Sequence, residues 1–232
     1  MSETVAKNAN ELLTVETKGL LFDMDGVLIS STGSVERSWQ RWCKLYGMPN
    51  ADQFHVPHGT RAVDIVRMLK PQWDEAQVAE GQRLIEDLEM ADTADLTVLP
   101  GVKLLLAQLP PERWIVVSSA STRVLIGRLA AAGLPVPARY ISGDMVVHGK
   151  PDPEPYRRGA ELLGYAPGDC IVVEDAPSGV GSGLAAGCRV LGVLGTHPAE
   201  KLRAATWLAR SLDEIEVTAK QDGLEMRFTP VG

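Results

Sequence analysis

The stretch GLLFDMDGVLIS, Gly19–Ser30, decides how this chain is read. The apolar run Leu20-Leu21-Phe22 has the character of a buried strand, and it opens into two aspartates one residue apart with glycine straight after. Side chains two apart lie on the same side of a strand. If the strand unwinds at Gly26, where glycine permits the turn, Asp23 and Asp25 point into a common pocket. Two carboxylates so placed oppose each other's ionisation unless positive charge sits among them. A lone DxDG is more often an ordinary turn, so the case rests on what distant segments bring to it.

Outward from this stretch the pattern first turns helical. Val35, Trp39, Trp42 and Tyr46 recur at helical spacing before Gly47 and Pro49. Further helices are expected over Arg61–Leu69 and Asp74–Met90, so residues 33–98 read as helical throughout. Trp39 and Trp42 read as core of that segment rather than as a sugar platform. Then short apolar strands alternate with helices: RWIVVS (113–118), Tyr140–Ser142, CIVVE (170–174), RVLGVL (189–194) and WLAR (207–210). This alternation predicts an α/β fold, a doubly wound parallel sheet covered on both faces, interrupted early by a helical insert. The expected division is a polar leader (1–17), an α/β core (18–32 and 99–216), the helical insert (33–98) and a C-terminal tail (217–232).

The totals fit that picture. The 232 residues are 45% hydrophobic, enough for one large domain carrying a smaller insert. The net charge of −7 comes without any Lys/Arg cluster, so nucleic acid is not an expected partner. Cys43, Cys170 and Cys188 form no CxxC, and the leader lacks the apolar centre of a signal peptide. No apolar run approaches ~18 residues, which leaves no membrane span. A cytoplasmic monomer is expected.

In open α/β sheets, ligands bind beyond the carboxyl ends of the strands. The polar residues at those ends are Asp23 and Asp25, Ser118 and Ser119, and Glu174 and Asp175, while Lys150 lies in the loop HGKPDPEP. The acids, Asp23, Asp25, Glu174 and Asp175, need a cation among them, and oxygen ligands without His or Cys suit magnesium. Competing motifs fit less well. An EF-hand loop from Asp23 would end on Ser34 where it needs Glu, and a P-loop ending at Lys150 would place Pro151 where it needs Ser or Thr. The glycines of GVGSGLAAG are spaced GxGxG and suit helix packing better than a dinucleotide.

Taken in order, LFDMDGVL, WIVVSSAS, GKPDPEPY and IVVEDAPSGV resemble the four motifs of the haloacid dehalogenase superfamily of phosphatases, in the branch with a helical cap between the first two. HGTRAVD, LPGV and EDAPSGVGSGLAAGC are most similar to the glycerol phosphate and 2-deoxyglucose 6-phosphate phosphatases. The resemblance implies a magnesium-dependent phosphomonoesterase acting on a small phosphorylated sugar or polyol. It implies that Asp23 attacks phosphorus and that Asp25 protonates the leaving alcohol and later deprotonates water. Magnesium would be held by Asp23, the main-chain carbonyl of Asp25, and Asp175, with Glu174 close by. Lys150 and Ser118 or Ser119 would hold the phosphoryl oxygens; both alignments of SSAS are open. Uncatalysed phosphate monoester hydrolysis is slow enough for enzymes to supply accelerations of up to ~10²¹, so covalent catalysis and charge neutralisation are both required.

Two other classes are weighed. A phosphomutase like β-phosphoglucomutase would carry a hinge histidine where this chain has Val35 and an aspartate where it has Ser30. A phosphosugar-binding protein without turnover would need neither Asp23 nor Asp25. In the insert, His58 and Arg61 of PHGTRAVD are candidates to reach the substrate; they read equally well as helix-start and surface residues.

Overall fold

The computed structural model describes residues 11–231. The run Cys170–Glu174 shows why the sheet forms where it does. All five residues are buried, three are β-branched, and the only charged side chain comes last.

In chain order the elements begin with β1 (Leu13–Thr17), β2 (Gly19–Phe22), β3 (Ile29–Ser30), α1 (Thr32–Leu45), α2 (Ala62–Leu69), α3 (Glu75–Ala91) and β4 (Thr97–Val98). They continue with α4 (Val102–Gln108), β5 (Trp114–Val117), α5 (Thr122–Ala131), β6 (Tyr140–Ile141), α6 (Glu154–Leu163) and β7 (Cys170–Glu174). Last come α7 (Pro177–Ala185), β8 (Arg189–Val193), α8 (Ala199–Leu202), β9 (Trp207–Ala209), β10 (Glu216–Lys220) and β11 (Gly223–Phe228). Among the described residues, no helix is long and apolar enough to cross a membrane.

Six strands form one parallel sheet in the order β6-β5-β2-β7-β8-β9. The chain starts at β2 in the middle and winds outward both ways, which is the doubly wound arrangement expected. Alternate residues of each strand serve opposite faces. Leu20, Phe22, Val116 and Val173 pack with Leu105, Leu125 and Leu129 of α4 and α5. Leu21, Val117 and Val172 pack with Tyr156, Ala160 and Val180 of α6 and α7. With both faces covered, the polar ends of β2, β5 and β7 are left to meet at one edge.

The helical segment leaves and rejoins the sheet through the antiparallel pair β3–β4, with Ile29 opposite Val98 and Ser30 opposite Thr97. Thr97–Val98 therefore departs from an all-helical reading of 33–98. Helices α1–α3 enclose their own core of Trp39, Trp42, Cys43, Ile65, Val66 and Ile85. The Trp42 indole N–H donates to the Gly81 carbonyl at 2.8 Å. Asp74 and Gln77 close a reciprocal capping box that fixes where α3 begins.

Both ends of the chain correct the sequence reading. Residues 1–10 of the leader lie outside the described residues, but Leu13–Thr17 is strand β1. The expected tail folds into the hairpin β10–β11, and β1 pairs with β11 to complete a three-stranded antiparallel sheet. The cause is period-two patterning: Leu224, Met226 and Phe228 turn inward while Glu225 and Arg227 stay less buried. Phe228 packs edge-on against Trp207, with ring centroids 6.0 Å apart. Replacing Phe228 by Ala should lower unfolding free energy by about 3–5 kcal/mol in urea titration. A change below about 1 kcal/mol would show that the terminal sheet is not part of the cooperative core.

Candidate active site

At the end of β2 the chain stays in the sheet for one more bond, as the Asp23 N–H donates to the Val173 carbonyl at 3.0 Å. It then turns sharply, with Gly26 N–H donating to the Ile29 carbonyl at 2.7 Å. Gly26 takes φ +87°, and a methyl there would overlap the Asp175 carboxylate. Asp175 thus lies directly against the turn that presents Asp23.

Lys150 ties the strand ends together. Its ammonium donates to Asp23 Oδ1 at 2.6 Å, to Glu174 Oε1 at 2.7 Å and to the Val117 carbonyl at 3.2 Å, so its three N–H bonds reach β2, β7 and β5. Glu174 is fully buried and fully engaged. Its Oε1 also accepts the Tyr156 hydroxyl at 2.8 Å, and its Oε2 accepts the backbone N–H groups of Asp175 and Ala176, each at 2.9 Å. A methyl at Gly179 would overlap this carboxylate, so the residue type at the start of α7 follows from the site. Glu174 acts as a support for Lys150 and for the 175–176 backbone.

The electrostatics follow from burial. Loss of solvent pushes Asp23 up to about 7, although the Lys150 charge pulls the other way. Burial, with Glu174 and Asp23 adding to it, drives Asp175 well above the usual carboxylate range. Burial opposes the Lys150 charge, but Asp23 and Glu174 outweigh it and hold the ammonium above the ordinary lysine value. Oxygens of Asp23, Glu174 and Asp175 all lie within 4.8 Å of one another, with one ammonium to balance them. An all-oxygen donor set carrying excess negative charge fits a hard divalent cation. Another acidic cluster, His148, Asp152 and Glu154, is more open, and its Glu154 carboxylate already accepts the Val147 and His148 backbone N–H groups.

Asp25 lines the same cavity as Asp23 but turns to different partners. Its Oδ1 accepts from Arg128 Nη1 at 2.9 Å and from the Ser31 hydroxyl. The Asp25 carboxylate is not one of the three that converge. Ser118 Oγ accepts the Ala120 N–H at 3.1 Å, whereas Ser119 donates its hydroxyl to the Gly59 carbonyl at 2.6 Å. Both serines line the cavity. His58 lines it too, facing the His197 ring with centroids 5.7 Å apart, and burial lowers its pKa and favours the neutral ring.

Arg61 departs from the expectation that it reaches the substrate. Its guanidinium pairs with Asp64 at 2.7 and 2.9 Å and donates to the carbonyls of Gly143 and Val146 at 3.3 and 2.8 Å. The arginine clamps the helical segment to the core loop and does not line the cavity. Three charged residues of the cavity lining were not legible from sequence: Glu86, Glu89 and Arg128. All are at least nine-tenths buried. The available signal was spacing, since Glu89 follows buried Ile85, and Arg128 follows buried Val124, by one helical turn.

The sequence matches the haloacid dehalogenase-like hydrolase family over residues 17–187. Hexitol phosphatase A of Escherichia coli is 39% identical over 208 residues, covering 89% of this chain and 96% of that protein. Glycerol-1-phosphate phosphohydrolase 2 of Saccharomyces cerevisiae is 30% identical over 234 residues, covering 93% of this chain and 92% of its own length. In architecture, the crystal structure of a hydrolase from Pseudomonas syringae superimposes with a TM-score of 0.75 at 21% identity, covering 84% of this chain and 94% of that one. The motif order, the site built on β2, β5 and β7, and these matches agree: the chain belongs to the haloacid dehalogenase-like hydrolases.

Proposed function

We propose that the protein is a magnesium-dependent phosphomonoesterase that hydrolyses small sugar or polyol phosphates through an aspartyl-phosphate on Asp23. One observation carries this reading. Lys150 bridges Asp23 and Glu174 while Asp25, held separately by Arg128, borders the same cavity. A nucleophile beside a fixed cation and a second carboxylate free to move a proton are the parts that covalent phosphoryl transfer to water requires.

In the first half-reaction an Asp23 oxygen attacks phosphorus and the P–O bond to the alcohol breaks. Asp25 gives its proton to the departing alkoxide. Lys150 and the hydroxyls of Ser118 or Ser119 bind the phosphoryl oxygens. In the second half-reaction Asp25, now ionised, takes a proton from water as that water attacks the aspartyl-phosphate, releasing phosphate and restoring Asp23. Asp23, Asp175 and the Asp25 carbonyl would hold magnesium, which supplies positive charge against the phosphoryl oxygens. The helical segment serves as a cap over the site, with His58 on its inner side. The cavity holds about 80 Å³, room for about three water molecules at liquid density, which supports a compact substrate. Three buried thiols, none paired, support a reducing, cytoplasmic setting. A mutase reading would need a proton-handling group where Val35 lines the cavity.

Asp23→Asn should lower phosphate release by at least about 10³-fold on any substrate while the far-ultraviolet circular dichroism stays that of the parent. Substantial residual hydrolysis would reject Asp23 as nucleophile. Excess EDTA should silence the enzyme and magnesium restore it; full activity in EDTA would overturn the metal requirement. Stability supplies an independent check. The raised Asp23 pKa means that the folded chain holds a proton which the unfolded chain releases. That contribution is complete below the unfolded value and is lost as pH rises through about 7. The melting temperature of metal-free protein should therefore fall between about pH 5 and about pH 7 and level off above about pH 8, and magnesium should remove most of the fall. A melting temperature that rises over this range without metal would contradict a buried Asp23 carboxyl that keeps its proton.

A further inference from the structure

We infer that Glu86 and Glu89 of α3 and Arg128 of α5 form a recognition wall for the hydroxyl groups of the substrate, one that also turns away substrates carrying a second anionic group. The inference rests on the phosphatase reading and extends it to the end of the substrate that does not react.

All three side chains line the cavity that holds Asp23 and Asp25, and each is at least nine-tenths buried. Arg128 uses Nη1 on Asp25 at 2.9 Å. Its Nη2, equally buried, makes no hydrogen bond among the described residues. The nearby carboxylate oxygen, Glu89 Oε2, stands 3.4 Å from it, close enough for charge attraction but too loose for a bond by angle and distance. Glu86 accepts one hydrogen bond, from Gln82 Nε2 at 2.9 Å, and an ionised carboxylate has room for about four. The wall thus has spare acceptors beside a spare donor.

A purely structural ion pair would close that gap, because an unsatisfied buried N–H is costly. A hydroxyl group completes the arrangement as it stands. It accepts from Nη2 through its oxygen and donates its proton to Glu89 or Glu86, and adjacent hydroxyls of a polyol satisfy both carboxylates together. Trp39, Ile65 and Val124 add an apolar stretch to the lining that suits the C–H face of such a chain. Charge sets the exclusion. With Asp25 included, three carboxylates face one guanidinium, so a second phosphate or a carboxylate on the substrate meets net repulsion. Burial also pushes Glu89 up to about 7, although the Arg128 charge and the Trp39 side chain pull the other way.

The test compares wild-type enzyme with Glu89→Gln, Glu86→Gln and the double variant, all close in shape to the parent. Each is assayed on a hexitol phosphate, on phenyl phosphate, which has no hydroxyls, and on a hexose bisphosphate. Either single variant should lower the ratio of kcat/KM for hexitol phosphate over phenyl phosphate by about tenfold or more, chiefly through KM. The double variant should raise kcat/KM for the bisphosphate relative to hexitol phosphate by a similar factor. Because Glu86 has no ion pair to lose, its variant reads the wall even if Glu89→Gln is destabilised. Ratios that move less than about threefold, with all substrates falling in parallel, would overturn the wall and leave the phosphatase reading intact. Wild-type enzyme inert on all three with magnesium would instead bring down the phosphatase reading and the wall with it.

Discussion

Everything at the carboxyl edge of the sheet depends on one buried ammonium. Lys150 is 5% exposed, and its partners come from three adjacent strands, β2, β5 and β7. Burying charge in this way is weak evidence for stability, since desolvation can exceed the attraction gained. The apolar packing on both sheet faces supplies the stability, and the charge cluster draws on it. The cluster has a different consequence: it fixes the position of the Asp23 carboxylate within the sheet while leaving it short of positive charge. Glu174 completes this, because both its oxygens are bonded inward and it cannot swing toward a ligand.

A second cation gives the site its polarity. Arg128 holds Asp25 as Lys150 holds Asp23, and the two aspartates, one residue apart in sequence, end in different surroundings. Asp23 is almost wholly enclosed, whereas the Asp25 side chain keeps 31% of its exposure and a hydroxyl partner in Ser31. Separating two carboxylates by environment is how one site runs nucleophilic and acid–base chemistry together. The turn at Gly26 is the geometric cause, since an uninterrupted strand would have sent both side chains the same way.

The parts of this structure legible in sequence were those written in long apolar runs or strict spacing. Strands β2, β5, β7 and β8 each carry an unbroken apolar run, bounded by Glu174 at the end of β7 and Arg189 at the start of β8, and buried parallel strands need no polar alternation to be seen. Helices α2 and α3 begin within a residue of their expected starts, and at α3 the local cause is the capping box of Asp74 and Gln77. The terminal hairpin carried equally good information, Leu224, Met226 and Phe228 alternating after Asp222-Gly223, but its partner β10 is exposed at four of its five residues and gives no apolar run. At the site, Asp23, Asp25, Lys150, Glu174 and Asp175 were legible because they stand at strand ends or in one loop. Arg61 was not, since the destination of a long side chain depends on a core loop far away in sequence. Glu86, Glu89 and Arg128 were hidden for the opposite reason: charges on a helix ordinarily mark its solvated face.

This difference bears on how closure and selectivity are divided. The insert is seated over the sheet edge by hydrogen bonds to main-chain carbonyls and by the ion pairs Arg123–Asp87 and Arg128–Glu89 between α5 and α3. Ser119 donates to the Gly59 carbonyl, Ser178 to the His58 carbonyl, and Arg61 to the carbonyls of Gly143 and Val146. Main-chain acceptors are present whatever side chains the loops carry. The Ser119 hydroxyl that holds the 58–59 loop lines the same cavity as Asp23. Side-chain charge from the insert enters the cavity only at Glu86 and Glu89, among the described residues lining it. The charge that the insert adds to the cavity, Glu86 and Glu89, therefore comes from a different part of it than the 58–61 loop, whose carbonyls and arginine seat it on the core.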